Sequence, residues 1–515
     1  MPLHALPLTK DSPYLAMCWE ACRRRGFAGV HLSHNLCHDA HDLLDDPAWA
    51  AEARAWVETL SGNGLETWVW THEFHRPPEH LIDAENRFLF DEGDWAEHLR
   101  RKYEKFLTET LPGITGLVFT FAETSYEIYK DERVVSRHAA AERLRQLMEV
   151  LVDIGHRHGV RIVVRDFVYR LHEVQSMAAA IKGLPPEVTV MSKAVPHDWQ
   201  PFYPPNPILG QCGAREQWME FDLGLEYEGQ QMMPYANLEQ TAAWYRHGRE
   251  QGIRHVCLRL DRYDGEKGQS ALSTPWGQLA LDAFAAWERD ASASVESIHE
   301  SWEKAHFPGA AEAVRLATTS LQKMLFPAQN WLANHCMLPR YGYGKSHLVD
   351  GNADRLATWT GRPEDEAVRK NLKEMPRAFR LSLEAEAAEA LDLYAEADRL
   401  VRERLDPHHP AAPCWQDGYR MLGSYLRLLA AYRRAFFLLR EREENPAGAE
   451  DRETIAAAID TLAAVGESEA PHWKGRCFTA IPVCKAMGGK SPDAGFPDAI
   501  VDNLRAVLAS FESSQ

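Results

Sequence analysis

Nowhere in its 515 residues does the chain hold an apolar run approaching the roughly 18 residues of a membrane-spanning helix. It has no low-complexity tract and no internal repeat, and no Gly-rich dinucleotide turn follows its first strand-like run. Basic excess is missing too: 57 Lys and Arg stand against 75 Asp and Glu, a net charge of −18 that repels phosphate backbones and anionic lipid. Neither a nucleic-acid partner nor a membrane surface is expected. The nine cysteines are odd in number and scattered, with Cys18 and Cys22 on one helix face, which argues for reduced core thiols over a disulfide framework. No Cys-His pair marks a nucleophilic cysteine. The stretch after Met1 lacks a cationic segment followed by a long apolar one, so the expected compartment is the cytoplasm, a trimmed signal aside.

What the chain does have is 45% hydrophobic residues, enough for full cores, and a regular alternation in its first half. Seven β-rich runs stand out: GVHLS from Gly29, ETWVW from Glu66, GLVFTF from Gly116, RIVVR from Arg161, VTVMSK from Val188, WMEFD from Trp218 and HVCLRL from His255. Between them lie amphipathic stretches such as 95–111 and 139–158, with apolar residues at spacings of three and four. A weak eighth strand falls either in the first ten residues or after Gly229. The pattern predicts an α/β fold, a (β/α)8 TIM barrel over residues 1–290, followed by an α-helical C-terminal domain over 291–515. The later helices are expected at 311–325, 381–405, 419–443 and 452–465. Tyr419, Leu422, Leu426, Leu429, Tyr432 and Phe436 form one stripe, with Arg433, Arg434 and Arg440 expected outside it. Such a stripe serves either as internal core or as a homodimer contact.

Barrel enzymes carry their reactive groups where strands end and loops begin. Here each apolar run turns charged at its C-terminal end: Glu123 after the Gly116 run, Arg165 and Asp166 after the Arg161 run, Lys193, His197 and Asp198 after the Val188 run, and Glu226 after the Trp218 run. Trp70, Trp199 and Tyr227 lie near the same ends, together with Trp68, Trp218 and Tyr126. Aromatic faces suit the C–H faces of sugars and carboxylates suit hydroxyls. Hydrolysis of a glycosidic bond needs a carboxylic acid to protonate the leaving oxygen and a second carboxylate as nucleophile or as base for water. Glu123, which follows the mostly apolar Phe119 to Ala122, is the expected proton donor through a raised pKa, leaving Asp198 and Glu226 for the base. The plainer alternative is that these acids are solvated, or paired with a neighbouring Arg or Lys.

Four motifs in order resemble glycoside hydrolase family 67, the α-glucuronidases. They are the acid-bearing strand end at 116–123, RDFVY from Arg165 to Tyr169, KAVPHDWQP from Lys193 to Pro201, and the MEF…EYEG run from Met219 to Gly229, with Glu226 28 positions after Asp198. The resemblance spans roughly residues 25–345. It implies an exo-acting, inverting hydrolase that removes a terminal α-linked uronic acid or related sugar from an oligosaccharide, without a cofactor or metal. Glu123 is then the general acid, Asp198 and Glu226 position and deprotonate the attacking water, and Arg165 and Lys193 hold the sugar's carboxylate. Asp166, His197, Trp199, Trp70 and Tyr227 complete the expected sugar contacts.

The chain also departs from that family. Phe119 stands where the family has a lysine and Asp166 where it has a small apolar residue, and the family's N-terminal β domain is not expected within these residues. One cation fewer and one acid more leave the choice between a uronic acid and a neutral sugar open. A second enzyme class stays open as well: His72, His75, Glu123, Asp166, His197 and Asp198 are hard ligands suited to Mn or Mg in a sugar isomerase or epimerase barrel. A non-catalytic carbohydrate-binding protein is the third reading. The GYGKS segment from Gly342 is like the end of a phosphate loop, but Pro339 replaces its first glycine, so it is expected to be structural or a lid.

Overall fold

Eight parallel strands close on themselves: β1 (Leu3–Leu6), β2 (Gly29–Leu32), β3 (Glu66–His72), β4 (Gly116–Thr120), β5 (Arg161–Arg165), β6 (Thr189–Lys193), β7 (Gln217–Asp222) and β8 (His255–Arg259). The computed structural model describes residues 2–7, 12–213, 215–260, 270–332, 343, 346–473 and 498–511. All seven expected runs are strands, and the eighth lies at the start of the chain. There, β1 pairs with β8 (Leu3 opposite Val256) and with β2 (His4 opposite Gly29) to seal the barrel. The crossover helices follow the apolar periodicity. In helix Ala140–His158 the side chains of Leu144, Leu147, Met148, Leu151 and Ile154 are buried at spacings of three and four, and the helix ends on Gly159 at φ +66°.

Alternation along the strands sorts side chains into two cores. Leu6, Trp68, Trp70, Val118, Val163, Met191, Trp218 and Cys257 fill the barrel, while the intervening positions, Val69, Leu117, Phe119, Val164 and Phe221 among them, pack against the helices. The inner bottom is crowded by indoles. Trp68 and Trp218 meet edge to face at 4.8 Å, and a Cβ on Gly116 would fall 2.4 Å from the Arg161 carbonyl oxygen and 2.5 Å from the Trp68 ring. Glycine is therefore required there by space alone. A short parallel pair, Phe88–Leu89 after β3 with Val134–Val135 after β4, ties those two long loops together outside the barrel.

Beyond helix Pro275–Arg289 the described residues form helices, the longest being Arg377–Arg404 and Ala412–Glu444. Tyr419, Leu422, Leu426, Leu429, Tyr432 and Phe436 are all buried within the chain itself, so the stripe is internal core. Only one of the three arginines expected outside it is outside. Arg434 is exposed, whereas Arg433 and Arg440 are 1% exposed. The reason lies at the ends of neighbouring helices, whose last carbonyls lack partners within their own helix. Arg433 donates to the carbonyls of Lys323 (2.6 Å) and Met324 (3.1 Å), and Arg440 to those of Leu372 (3.2 Å) and Lys373 (2.8 Å). Of the described cysteines, Cys18, Cys22, Cys37, Cys212 and Cys257 are buried and Cys414 half-buried, all six outside any disulfide; burial pushes the Cys22 thiol up to about 12.

Gly116→Ala is expected to destabilise the protein by about 1–3 kcal/mol through overpacking against Trp68. The check is a urea unfolding curve, in which an unchanged midpoint would mean that the indole can move aside.

Candidate active site

Inward positions near the C-terminal strand ends include His72 on β3, Thr120 on β4, Arg165 on β5, Lys193 on β6, Glu220 on β7 and Arg259 on β8. Alternation puts them on the same face as the barrel-filling residues two positions earlier, so a charged ring sits on an apolar plug. Arg165 holds Glu220 in a two-point grip, Nε to Oε2 at 2.7 Å and Nη2 to Oε1 at 3.2 Å. Arg259 stands 3.8 Å from the same carboxylate and 3.5 Å from that of Glu226. Lys193 lies 3.5 Å from Asp198, whose other oxygen is 3.1 Å from His197 Nδ1. Burial opposes the ionisation of Glu220, but Arg165 and Arg259 outweigh it and hold its carboxyl below the ordinary range. Burial also lowers Lys193, with Asp198 pulling the other way.

Arg165 and Lys193 are thus at the mouth, as expected, and each already has an acidic neighbour. For Arg165 that neighbour is Glu220, which the sequence reading passed over along with Arg259. Both sit inside apolar runs taken as strand interior. The available signal was parity, since Glu220 shares the inward face with Trp218 and Arg259 shares it with Cys257. Phe119 is on the opposite face of β4, its ring 5.3 Å from Tyr103. A lysine there would not reach the mouth by this strand's geometry, and Arg259 supplies a third cation instead.

Loop turns deliver the carboxylates. Asp222 accepts hydrogen bonds from the amides of Gly224 (3.1 Å) and Glu226 (2.8 Å), folding the strand end back, and Leu225 takes a left-handed φ of +56°. Glu226 is buried by that turn. Glu228, two residues on, is enclosed, and burial followed by repulsion from Asp222 and Glu226 raises its pKa well above the carboxylate range. Glu123 differs from both. It is a non-glycine residue at φ +60°, its amide donates to Glu127 Oε1 at 2.8 Å, and its side chain is 49% exposed. The desolvation expected from the apolar run before it is therefore not present at its carboxyl group. Its near neighbour is His72, with Nε2 3.9 Å from Glu123 Oε2. His38 stacks on His72 at 4.2 Å and His75 meets His38 edge-on at 4.4 Å. Burial lowers both His38 and His72, favouring neutral rings. Strain of this kind collects at functional sites, and Phe74, at φ +61°, carries it on the adjoining β3 loop.

Asp166 follows the inward Arg165 and so points the other way, toward the helix layer. There it accepts from Ser192 Oγ, which in turn accepts from Gln217 Nε2 at 2.8 Å. Burial pushes its carboxyl up to about 7, opposed by the Ser192 hydrogen bond. The structure does not bring Asp166 together with Asp198 at the mouth. Among the described residues no three His, Cys, Asp or Glu side chains are placed to hold a metal ion, and the metal-site grouping of the isomerase reading is not assembled. The aromatic residues are also deeper than expected. Trp70 is 1% exposed beneath Arg165, whose guanidinium lies 5.1 Å from its ring, and its Nε1 donates to His31 Nδ1 at 2.8 Å. Trp199 lies under Lys193 (5.0 Å) and Arg259 (5.9 Å). Tyr227 packs on Trp331 at 4.4 Å.

That last contact belongs to a cover. Phe202 meets Phe326 at 5.6 Å and Gln200 Nε2 donates to the Gln329 carbonyl at 3.0 Å, so the segment after helix Ala310–Leu325 closes the mouth over the β6 and β7 loops. The Glu123 side remains open. Gly342, Gly344 and Lys345 of the GYGKS segment lie outside the described residues.

A scan against protein-family models finds no match to the chain, and a search of curated proteins finds none. Solved structures do match. A GH138 enzyme targeting pectin rhamnogalacturonan II superposes with a TM-score of 0.62 at 11% identity, covering 100% of this chain and 83% of that one. A family GH115 4-O-methyl-α-glucuronidase, with specificity for decorated arabinogalactans, gives a TM-score of 0.50 at 12% identity, covering 97% of this chain and 61% of that one. The chain has a glycoside-hydrolase-like fold. Family 67 in particular is not shown by these matches, which carry the architecture and leave the residues to be argued on their own chemistry.

Because the folded state holds the Asp166 proton more tightly than an ordinary carboxyl of about 3.8 would, its contribution favours folding at acid pH. That contribution is lost as pH rises from about 4 through 7, by at most about 4 kcal/mol. Asp166→Asn, which keeps an acceptor for Ser192, should flatten the stability profile between pH 4 and 8. Parallel profiles for the two proteins would contradict the buried, protonated carboxyl.

Proposed function

We propose that the chain is an exo-acting glycoside hydrolase that removes a terminal acidic sugar with inversion. The observation that carries this reading is the division of the mouth into an open side that bears Glu123 and a covered side that bears Asp198 and Glu226, the latter two beside Lys193 and Arg259. An inverting glycosidase uses an acid at the leaving oxygen and a base at a water on the opposite face of the sugar. Glu123 serves as the acid, since the departing chain must leave through the open side. Asp198 and Glu226 orient and deprotonate the water, with His197 and Arg259 holding their carboxylates in place. Lys193, Arg165 and Arg259 face the position of a sugar carboxylate, and charge-assisted hydrogen bonds suit all three. The closure over the β6 and β7 loops favours one terminal residue over the middle of a chain. A 4-O-methyl-α-glucuronidase among the structural matches is a protein whose named substrate carries such a carboxylate, which agrees with this choice of sugar.

The test is hydrolysis of a panel of α- and β-linked aryl glycosides and uronides, with the first-formed anomer followed by NMR. Release of an inverted uronic acid is expected. Release only of neutral sugars would remove the acidic-sugar reading, and no release from any of them would remove the hydrolase. Glu123→Gln should lower turnover of natural linkages by about 10²–10⁴-fold, the range of general acid catalysis, while sparing substrates with a good leaving group. Equal activity on both substrate types would show that Glu123 is not the acid.

A further inference from the structure

Beside the open side of the mouth lies a second cavity, of about 510 Å³, between the β4 and β5 loops and residues 351–359 of the helical part. Its size is within the range of small-ligand sites, about 300–1,000 Å³. Tyr169 and Trp359 give it two aromatic faces, and Lys130, Arg170 and Arg355 give it three cations. Among the described side chains the charge there is unbalanced. The one described carboxylate in its wall, Asp354, is already held by Arg369 (3.0 Å) and Lys373 (3.4 Å), and Lys130 is paired with Glu127. Among the described residues Arg170 and Arg355 have no acidic partner, in a chain whose net charge is −18. Arg170 is exposed and Arg355 half-buried, so both are open to a ligand.

The cavity also adjoins the reacting groups from two directions. Glu127 accepts from the Glu123 amide at 2.8 Å through one oxygen and pairs with Lys130 through the other; the Lys130 ammonium lies 4.8 Å from the Tyr169 ring centre. Tyr169 in turn lies 5.8 Å from His197, the neighbour of Asp198. In a glycosidase the part of the substrate beside the general acid is the leaving part. Aromatic faces take sugar rings, and guanidinium groups take carboxylates in two-point contacts.

We propose that this cavity binds the leaving portion of an acidic oligosaccharide, its carboxylates on Arg170 and Arg355 and its rings against Tyr169 and Trp359. The assignment to the leaving portion rests on the hydrolase reading above; binding of an acidic saccharide there does not. The enzyme then selects a polyanionic chain, adding to whatever the mouth selects in the terminal sugar.

The experiment is calorimetric titration of the full chain with galacturonate and with α-1,4-trigalacturonate, with glucose and maltotriose as the neutral series, in parallel with the hydrolysis panel. The wild type should bind the acidic trimer at least about tenfold more tightly than the monomer, a gain that falls with added salt, as exposed charge contacts do. In Arg170→Gln/Arg355→Gln the gain should disappear, while Arg434→Gln, which removes an exposed arginine of the C-terminal helices, should keep it. A gain that survives the double substitution, is absent from the wild type, or appears equally in the neutral series would overturn the proposal. If the gain behaves as expected but no glycoside is hydrolysed, the cavity stands and the hydrolase falls; hydrolysis with an unaltered gain in the double variant gives the reverse.

Discussion

The Arg165–Glu220 grip is the interaction on which the barrel mouth depends. Three cations, Arg165, Lys193 and Arg259, lie on a plug of Trp70, Val118, Met191 and Cys257, where an unpaired charge would be costly. Glu220, itself fully buried, makes that arrangement possible by taking Arg165 at two points and sitting 3.8 Å from Arg259. With Glu220 held between two guanidinium groups, Arg259 is fixed within reach of Glu226, and Lys193 is left facing Asp198. The carboxylates proposed for chemistry and the cations proposed for the substrate are therefore parts of one charge-balanced mesh, laid out by strand parity.

How much of this could be read from residues alone follows from the kind of signal each part sends. The barrel strands send a strong one, because parallel strands buried on both faces are short apolar runs of β-branched and aromatic residues, and all seven were legible. Leu3–Leu6 was weaker, being four residues long and so close to the chain start that only its pairing with β8 and β2 identifies it. The strand-end acids were legible by position. What position could not give was direction. Asp166 and Arg165 are adjacent in sequence and face opposite layers, and Glu220 looked like strand interior while pointing into the mouth. Arg433 and Arg440 misled for a related reason: charge implies water unless a neighbouring helix offers unpaired carbonyls, and that depends on tertiary packing.

Exposure divides the site in a way composition does not reveal. Phe326, Gln329 and Trp331 come from far along the chain to cover the β6 and β7 loops. The β3 and β4 loops, tied to each other by the Tyr126 amide donating to the Phe74 carbonyl at 3.2 Å, stay open around Glu123. Left-handed conformations at Phe74, Glu123 and Leu225 show backbone held against its preference on both sides of the mouth. A site with one wall closed and one open has a direction, and the proposed order of acid, sugar and base across it follows that direction.

The most direct measurement is a crystal structure of Glu123→Gln with a bound uronic acid released in the hydrolysis panel. The sugar carboxylate is predicted within about 2.7–3.2 Å of nitrogen atoms of Lys193 and Arg259 or Arg165, with the anomeric carbon between residue 123 and the pair Asp198 and Glu226. A sugar seated with its carboxylate away from all three cations, or with its anomeric carbon on the far side of Asp198 and Glu226, would contradict the account.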